Sequence, residues 1–436
     1  MLRNSSLDDA VAEARESYAA ARPETKSVHE QACRHLPGGN TRTVLYHGPF
    51  PIRVKSGAGA HIEDVDGHRY LNLLGEYTAG VFGHSHPVIR EAISEALEGG
   101  MNFGAHNLAE ARLGQLLAER FPAIERVRFT NSGTEANLMA VSMARHHTGR
   151  DKVMVMSGGY HGALLYFAGN GSPINAPFPY IEGRYNDIDA TRALLREHGK
   201  SIACVLVEPM MGSSGCIPGD RAFLDMLRQE TTAAGALLIL DEVMTSRFGR
   251  SGAHGMFGLS PDLVTLGKWI GGGMSFGAFG GRADLMAMFD PAAENALPHA
   301  GTFNNNVFSM RAGIAALTEA FTPDIAAGLH DVGEILRKRI NALFAEKGVG
   351  LCASGVGSLM NLHPVVGPVN SPASLAGADD RVRELLFLDL LERGYYVARR
   401  GFIALTVAVT VEDLDGFVAA LGDVVDVRAA VLPRRS

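Results

Sequence analysis

A chain of 436 residues is long enough for two or three domains and a large core, and 46% hydrophobic with 20% charged residues is the composition of an ordinary soluble globular protein. A net charge of −7 leaves no basic footprint for nucleic acid, and no apolar run approaches the roughly 20 residues a membrane span requires. The start, MLRNSSLDDAVAEARESYAAAR, is polar and acidic without a secretory apolar region. Cys33, Cys204, Cys216 and Cys352 show no C-x-x-C spacing, so a cytoplasmic place with reduced thiols is expected, with no disulfide framework and no zinc site.

Residues 1–35 read as a helix and a lead-in segment. AHIEDVDGHRYLNLL (60–74) follows as a hairpin, turned at Asp66-Gly67. From about residue 85, apolar runs alternate with helical periodicity. RVRFT (126–130), KVMVM (152–156), IACVLVE (202–208) and GALLILDE (235–242) read as strands, with helices between them. Near-continuous apolar strands separated by helices predict an α/β domain with a mostly parallel sheet covered on both faces. This large domain is placed at 75–315, with 1–74 as an N-terminal segment and 316–436 as a smaller α+β domain. The helix NVFSMRAGIAALTEAF (306–321) leads from one to the other.

Three stretches carry chemistry. In RFTNSGTEANLMA a strand ends at Thr130, and Ser132, Gly133 and Thr134 open a helix. The free amides of a helix N-terminus suit a phosphate, although Ser132…Glu135 equally fits an ordinary cap. Asp241 ends the apolar strand of LLILDEVMTSRFG, at the sheet edge where open α/β folds bind ligands. It is a structural acid, a Mg²⁺ ligand, or the partner of a cationic ring nitrogen. Lys268 closes a further short strand, LVTLG (263–267), and is followed by the glycine-rich loop of VTLGKWIGGGMSFGAFGG. A lysine among apolar flanks has a depressed pKa and becomes a nucleophilic amine. An anion cradle, a buried acid and an amine at one sheet edge together specify pyridoxal 5′-phosphate. His84 and His86 in GHSHP lack a third ligand and read as a turn, so no metal is expected.

The motifs NSGTEAN, SGGYHG, VEPM, DEVMTSRFG, LGKWIGGGMSFGAFGG and GTFNNN resemble, in order and spacing, the fold-type I, class III aminotransferases. Within that class the chain is most similar to the glutamate-1-semialdehyde aminomutase branch, and there to the aromatic β-amino acid (β-phenylalanine) aminotransferases. The resemblance implies a seven-stranded, mostly parallel sheet in the large domain and a small domain built from both chain ends. It implies that Lys268 forms the Schiff base and Asp241 holds the pyridine nitrogen protonated. Ser132, Gly133 and Thr134 would bind the phosphate, Tyr160 and Val243 would cover the two ring faces, and Glu208 would lie near the ring hydroxyl. Thr302 would reach the phosphate of a neighbouring subunit, so a homodimer with shared active sites is implied.

Arginine grips carboxylates best, and Arg42 (LPGGNTRTVLY) and Arg400 (YYVARRGFIALT) are the candidates, with Arg399 a rival beside the second. Tyr46, Phe50, Tyr77 and Phe82 would line the entrance for an aromatic group or, as loop aromatics, pack into the core, and Arg247 would shape the outer pocket or form a salt bridge. The expected partners are a small amino donor and a keto acid, 2-oxoglutarate or pyruvate, reacting by a ping-pong route. An aminomutase or a broad ω-amine transaminase is the alternative. A nucleotide-binding protein is disfavoured, because neither G-x-G-x-x-G nor G-x-x-x-x-G-K-[ST] is present.

Overall fold

The computed structural model describes residues 6–169 and 171–435. Two helices open it, α1 (Leu7–Ala21) and α2 (Pro23–Ala32). Ser6 caps α1 by accepting from the Asp9 amide at 3.1 Å, and Pro23 begins α2 where an amide has no intrahelical partner anyway. Strand β1 (Val54–Ala58) pairs with the expected hairpin, β2 (His61–Asp64) and β3 (Arg69–Asn72). Helices α3 (Pro87–Gly99) and α4 (Leu108–Arg120) then lead to the large sheet.

That sheet is assembled from β4 (Arg126–Thr130), β5 (Lys152–Met156), β6 (Tyr180–Gly183), β7 (Ile202–Val207), β10 (Leu237–Asp241), β11 (Leu263–Gly267) and β12 (Gly277–Gly281). A two-stranded ribbon, β8 (Met210–Met211) with β9 (Ile217–Pro218), sits between β7 and β10 in sequence. The intervening helices are α5 (Gly133–Thr148), α6 (Ile188–His198), α7 (Arg221–Ala234) and α8 (Gly252–Phe257), with α9 (Ala283–Met286) after β12. The strand order is β4-β12-β11-β10-β7-β5-β6. Strand β12 runs antiparallel to both neighbours and the other pairings are parallel. Every residue of β7, β10 and β11 is buried, which is why these strands read as unbroken apolar runs.

Two elements differ from the sequence reading. The end of the glycine-rich stretch after Lys268 is the strand β12 rather than loop. A Cβ on Gly277 would lie 2.1 Å from the Ser132 carbonyl oxygen, so glycine here lets the chain entering α5 rest directly on the strand. The expected helix 306–321 is α10 (Val307–Ala315) followed by a π-helical turn over Ala316–Ala320.

Beyond it come α11 (Pro323–Glu346), β13 (Cys352–Val356), β14 (Leu359–His363), α12 (Asp380–Glu392), β15 (Tyr395–Tyr396), β16 (Phe402–Ala404) and α13 (Val411–Arg428). Strands β13, β14 and β16 form an antiparallel sheet, while β15 adds in parallel to β3. The two ends of the chain therefore share one four-stranded sheet. Arg22 reinforces the junction, donating to Glu392 at 2.7 Å and to the Tyr70 hydroxyl at 3.1 Å. Among the described residues no helix is long and apolar enough to cross a membrane.

Candidate active site

Strand β10 delivers Asp241 to the carboxyl edge of the sheet, beside Thr265 of β11. The carboxylate is buried and fully engaged. Oδ2 accepts from Asn137 Nδ2 and from His161 Nδ1, both at 2.8 Å, and Oδ1 accepts from the Val243 amide at 3.0 Å. Asn137 is itself fixed, because its Oδ1 accepts from the Thr265 hydroxyl at 2.7 Å and its amide also reaches the His161 carbonyl. Such a donor set holds the carboxylate immobile. Asn137 and His161 both lie inside the motifs NSGTEAN and SGGYHG, yet residue type alone gave neither a role.

Lys268 follows β11 with a left-handed backbone, φ 56°. Its Nζ donates to the Tyr77 carbonyl at 2.7 Å. Burial lowers the amine to about 8, with Asp241 opposing the shift and Arg400 adding to it. A partly neutral amine near physiological pH is a competent nucleophile and base. The carbonyl that holds it belongs to Glu76-Tyr77-Thr78, three consecutive non-glycine residues with positive φ. Backbone in that region is uncommon and is stored where a site demands it.

Ser132 caps α5, its Oγ accepting from the Glu135 amide at 3.2 Å. The Glu135 carboxylate takes the Asn131 amide instead of closing a box on Ser132. The first amides of α5, at Gly133 and Thr134, thus face outward with the helix dipole behind them. Val243 stands against this turn, since a Cβ on Gly133 would come within 2.7 Å of its Cγ2. Glu208 accepts from the amides of Tyr160 at 3.0 Å and Gly212 at 2.9 Å. Burial pushes its carboxyl up to about 7, with His161 opposing and Asp241 adding. Tyr160 keeps 40% of its surface exposed, open to a flat partner.

The donor set fits pyridoxal 5′-phosphate: outward amides and hydroxyls for an anion, a fixed carboxylate for a cationic ring nitrogen, and an amine of lowered pKa for an aldehyde. Among the described residues no group of three or more His, Cys, Asp or Glu could hold a metal.

Arg400 donates to the Ser213 carbonyl at 3.0 Å and lies over the rings of Tyr77 (5.0 Å) and Phe402 (5.5 Å). Its Nε is buried without a partner, and among the described residues no carboxylate pairs with it. Arg399, by contrast, is consumed by Asp380 and Glu384. Arg42 is exposed and paired with Glu76, beside the Tyr77 turn. Thr302 stands apart, exposed in an open cleft with Phe103, His106 and Asn107.

Three expectations about the entrance are corrected. Phe50 packs on Tyr18 with ring centroids 5.3 Å apart, and Phe82 packs on Trp269 and Phe321, so both are core residues. Arg247 is too deeply buried to line the pocket, and among the described residues it forms no salt bridge. It is buried and donates to the Leu405 carbonyl, and burial lowers its guanidinium to about 9. Tyr77 reaches the site, and Tyr46 is an exposed loop residue.

The profile of the aminotransferase class-III family matches residues 45–363. The chain is 52% identical to the β-phenylalanine transaminase of Variovorax paradoxus over 433 residues, covering 99% of this chain and 100% of that one. The crystal structure of a β-phenylalanine aminotransferase from Variovorax paradoxus superposes with a TM-score of 0.98 at 52% identity, covering 99% of this chain and 100% of that one. A glutamate-1-semialdehyde 2,1-aminomutase of Lachnoclostridium phytofermentans is 36% identical, covering 87% of this chain and 93% of that one.

Proposed function

Since the chain belongs to the class-III aminotransferases, whose cofactor is pyridoxal 5′-phosphate, we propose that it moves the amino group of an aromatic β-amino acid to a keto acid. The cofactor supplies an aldehyde that captures the amino group and a ring that withdraws electrons from the adjoining carbon. Ser132, Gly133 and Thr134 hold its phosphate, joined by Thr302 from a second copy of the chain. Asp241 keeps the ring nitrogen protonated, while Tyr160 and Val243 confine the ring and Glu208 borders its hydroxyl side. With the cofactor bound, Lys268 Nζ would take the proton from the carbon that loses the amino group and return it on the other side of the nitrogen, at the former aldehyde carbon, a general-base role its lowered pKa favours. Residues 75–315 form the cofactor domain, and 1–74 with 316–436 the smaller one. A cytoplasmic place agrees with four unpaired cysteines.

The observation that carries the substrate reading is Arg400, a guanidinium without a carboxylate partner lying over Tyr77 and Phe402. A cation in that state invites a substrate carboxylate, and the aromatic surface beside it suits a ring. Arg42 supplies the second grip. The test incubates the holoenzyme with 3-amino-3-phenylpropanoate and 2-oxoglutarate. Glutamate formation supports the reading. Conversion of glutamate-1-semialdehyde to 5-aminolevulinate, with no glutamate formed, assigns the chain to the aminomutases.

A further inference from the structure

Arg400 is aimed by neutral partners, the Ser213 carbonyl at 3.0 Å and the Ser213 hydroxyl at 3.3 Å. Both belong to the loop between β8 and β9, so that loop sets the direction of a guanidinium that also rests on the rings of Tyr77 and Phe402. The loop has two mounts outside its own ribbon: the Ser214 hydroxyl donates to the Gly158 carbonyl at 2.5 Å, and the second, at Gly215, is the one nearer the small domain's strands. The Gly215 carbonyl receives His363 Nε2 at 2.9 Å and the Ser354 hydroxyl at 2.7 Å, and Ser354 lies 2.8 Å from the same imidazole nitrogen. Gly215 is seated directly on the ring: its φ is 111°, and a Cβ there would lie 2.5 Å from His363 Cε1.

The tautomer of His363 follows from its other side. Arg383 Nη2 lies 3.3 Å from Nδ1, and a guanidinium has only protons to give, so Nδ1 accepts. The remaining proton of the neutral ring is then on Nε2, facing the Gly215 carbonyl. Burial lowers the imidazole to about 4, which keeps it neutral. His363 ends β14, and β14 also carries the backbone of the Arg400 turn, because the Leu362 amide donates to the Gly401 carbonyl at 2.9 Å. One strand therefore holds both the root of Arg400 and the loop that aims its tip.

We propose that His363 is a positioning residue for Arg400, fixing the Ser213–Gly215 loop so that the guanidinium is presented to a substrate carboxylate. It acts through that loop and touches neither substrate nor cofactor. The proposal rests on Arg400 being a carboxylate grip, as argued above. The side chain required at 363 is one that accepts from Arg383 on one end and donates to Gly215 on the other. Glutamine meets that description and alanine does not.

The test titrates wild-type, His363→Ala, His363→Gln and Gly215→Ala holoenzymes with glutarate, a non-reacting dicarboxylate, reading the visible absorbance of the bound cofactor. Melting temperature checks that each variant is folded. The expected result is a glutarate Kd raised about tenfold in His363→Ala and in Gly215→Ala, the size of one charge-assisted hydrogen bond, and returned to within about twofold of wild type in His363→Gln. A wild-type Kd in His363→Ala, a His363→Gln variant no better than His363→Ala, or a wild type that does not bind glutarate would each overturn it. The titration uses no amino donor, so failure to turn over a β-amino acid would count against the proposed function alone.

Discussion

Lys268 shows how a residue acquires reactivity from its surroundings. A left-handed backbone, a carbonyl at 2.7 Å and burial at a sheet edge bring the amine to about 8. Cofactor capture by the cofactor-free protein needs the neutral amine, so its rate should rise as pH passes through about 8 and level off above, which stopped-flow absorbance reads. Stability moves with it. Because the folded pKa is depressed from 10.5, the unfolded chain binds more protons between about 8 and 10.5, and the cofactor-free protein should gain stability with rising pH in that window relative to Lys268→Met. A constant difference between the two melting curves would refute this. Lys268→Ala should lower turnover by about 10³-fold or more, within the range assigned to a positioned acid–base group, and leave borohydride unable to fix the cofactor to the chain. The placement of Asp241 and Lys268 at the carboxyl edge of the sheet was legible in the sequence because each comes at the end of an apolar run. Asn137 and His161 were not, since an asparagine in a helix and a histidine in a loop gain meaning only when folding brings both within 2.8 Å of one carboxylate. The choice between Arg399 and Arg400 was likewise a question of contacts, and the proposal of Arg400 rests on Asp380 and Glu384 occupying the first.

At the scale of elements, the site depends on close packing of α5 against β12. Gly277→Val would drive a side chain into the Ser132 carbonyl, where a Cβ already falls at 2.1 Å. Overpacking of this kind destabilises by about 1–3 kcal/mol, and here it also displaces the helix end proposed to receive the phosphate. The expected outcome is a lower melting temperature together with weaker cofactor binding. A variant that melts lower but binds the cofactor normally would separate the two roles. The parallel strands were readable because burial on both faces leaves no polar alternation. Strand β12 was not, as GAFGG lacks the β-branched residues that mark a strand and its glycines suggest a loop.

At the scale of the whole molecule, the four-stranded sheet pairs Tyr395 with Leu71, a contact no local pattern announces. The family resemblance implied a domain built from both chain ends, and this pairing is its physical form. The aromatics Phe50 and Phe82 were misplaced for the same reason, since burial depends on partners such as Tyr18 and Trp269 that are distant in sequence. Phe103 and Phe303 are 52% and 57% exposed near Thr302, an apolar surface suited to the second copy of the chain in the proposed shared site. On the proposed shared site, Phe303→Asp should give monomers by light scattering and reduce activity more than tenfold, because each cofactor phosphate would lose the hydroxyl proposed to come from a second copy. A persistent, active dimer would contradict the shared site.

The most direct measurement follows the holoenzyme's visible absorbance on adding 3-amino-3-phenylpropanoate without any acceptor. The account predicts that the band fades with uptake of one amino group per subunit and returns on addition of 2-oxoglutarate. A band that stays unchanged with this donor, in a protein that converts glutamate-1-semialdehyde to 5-aminolevulinate, would contradict it.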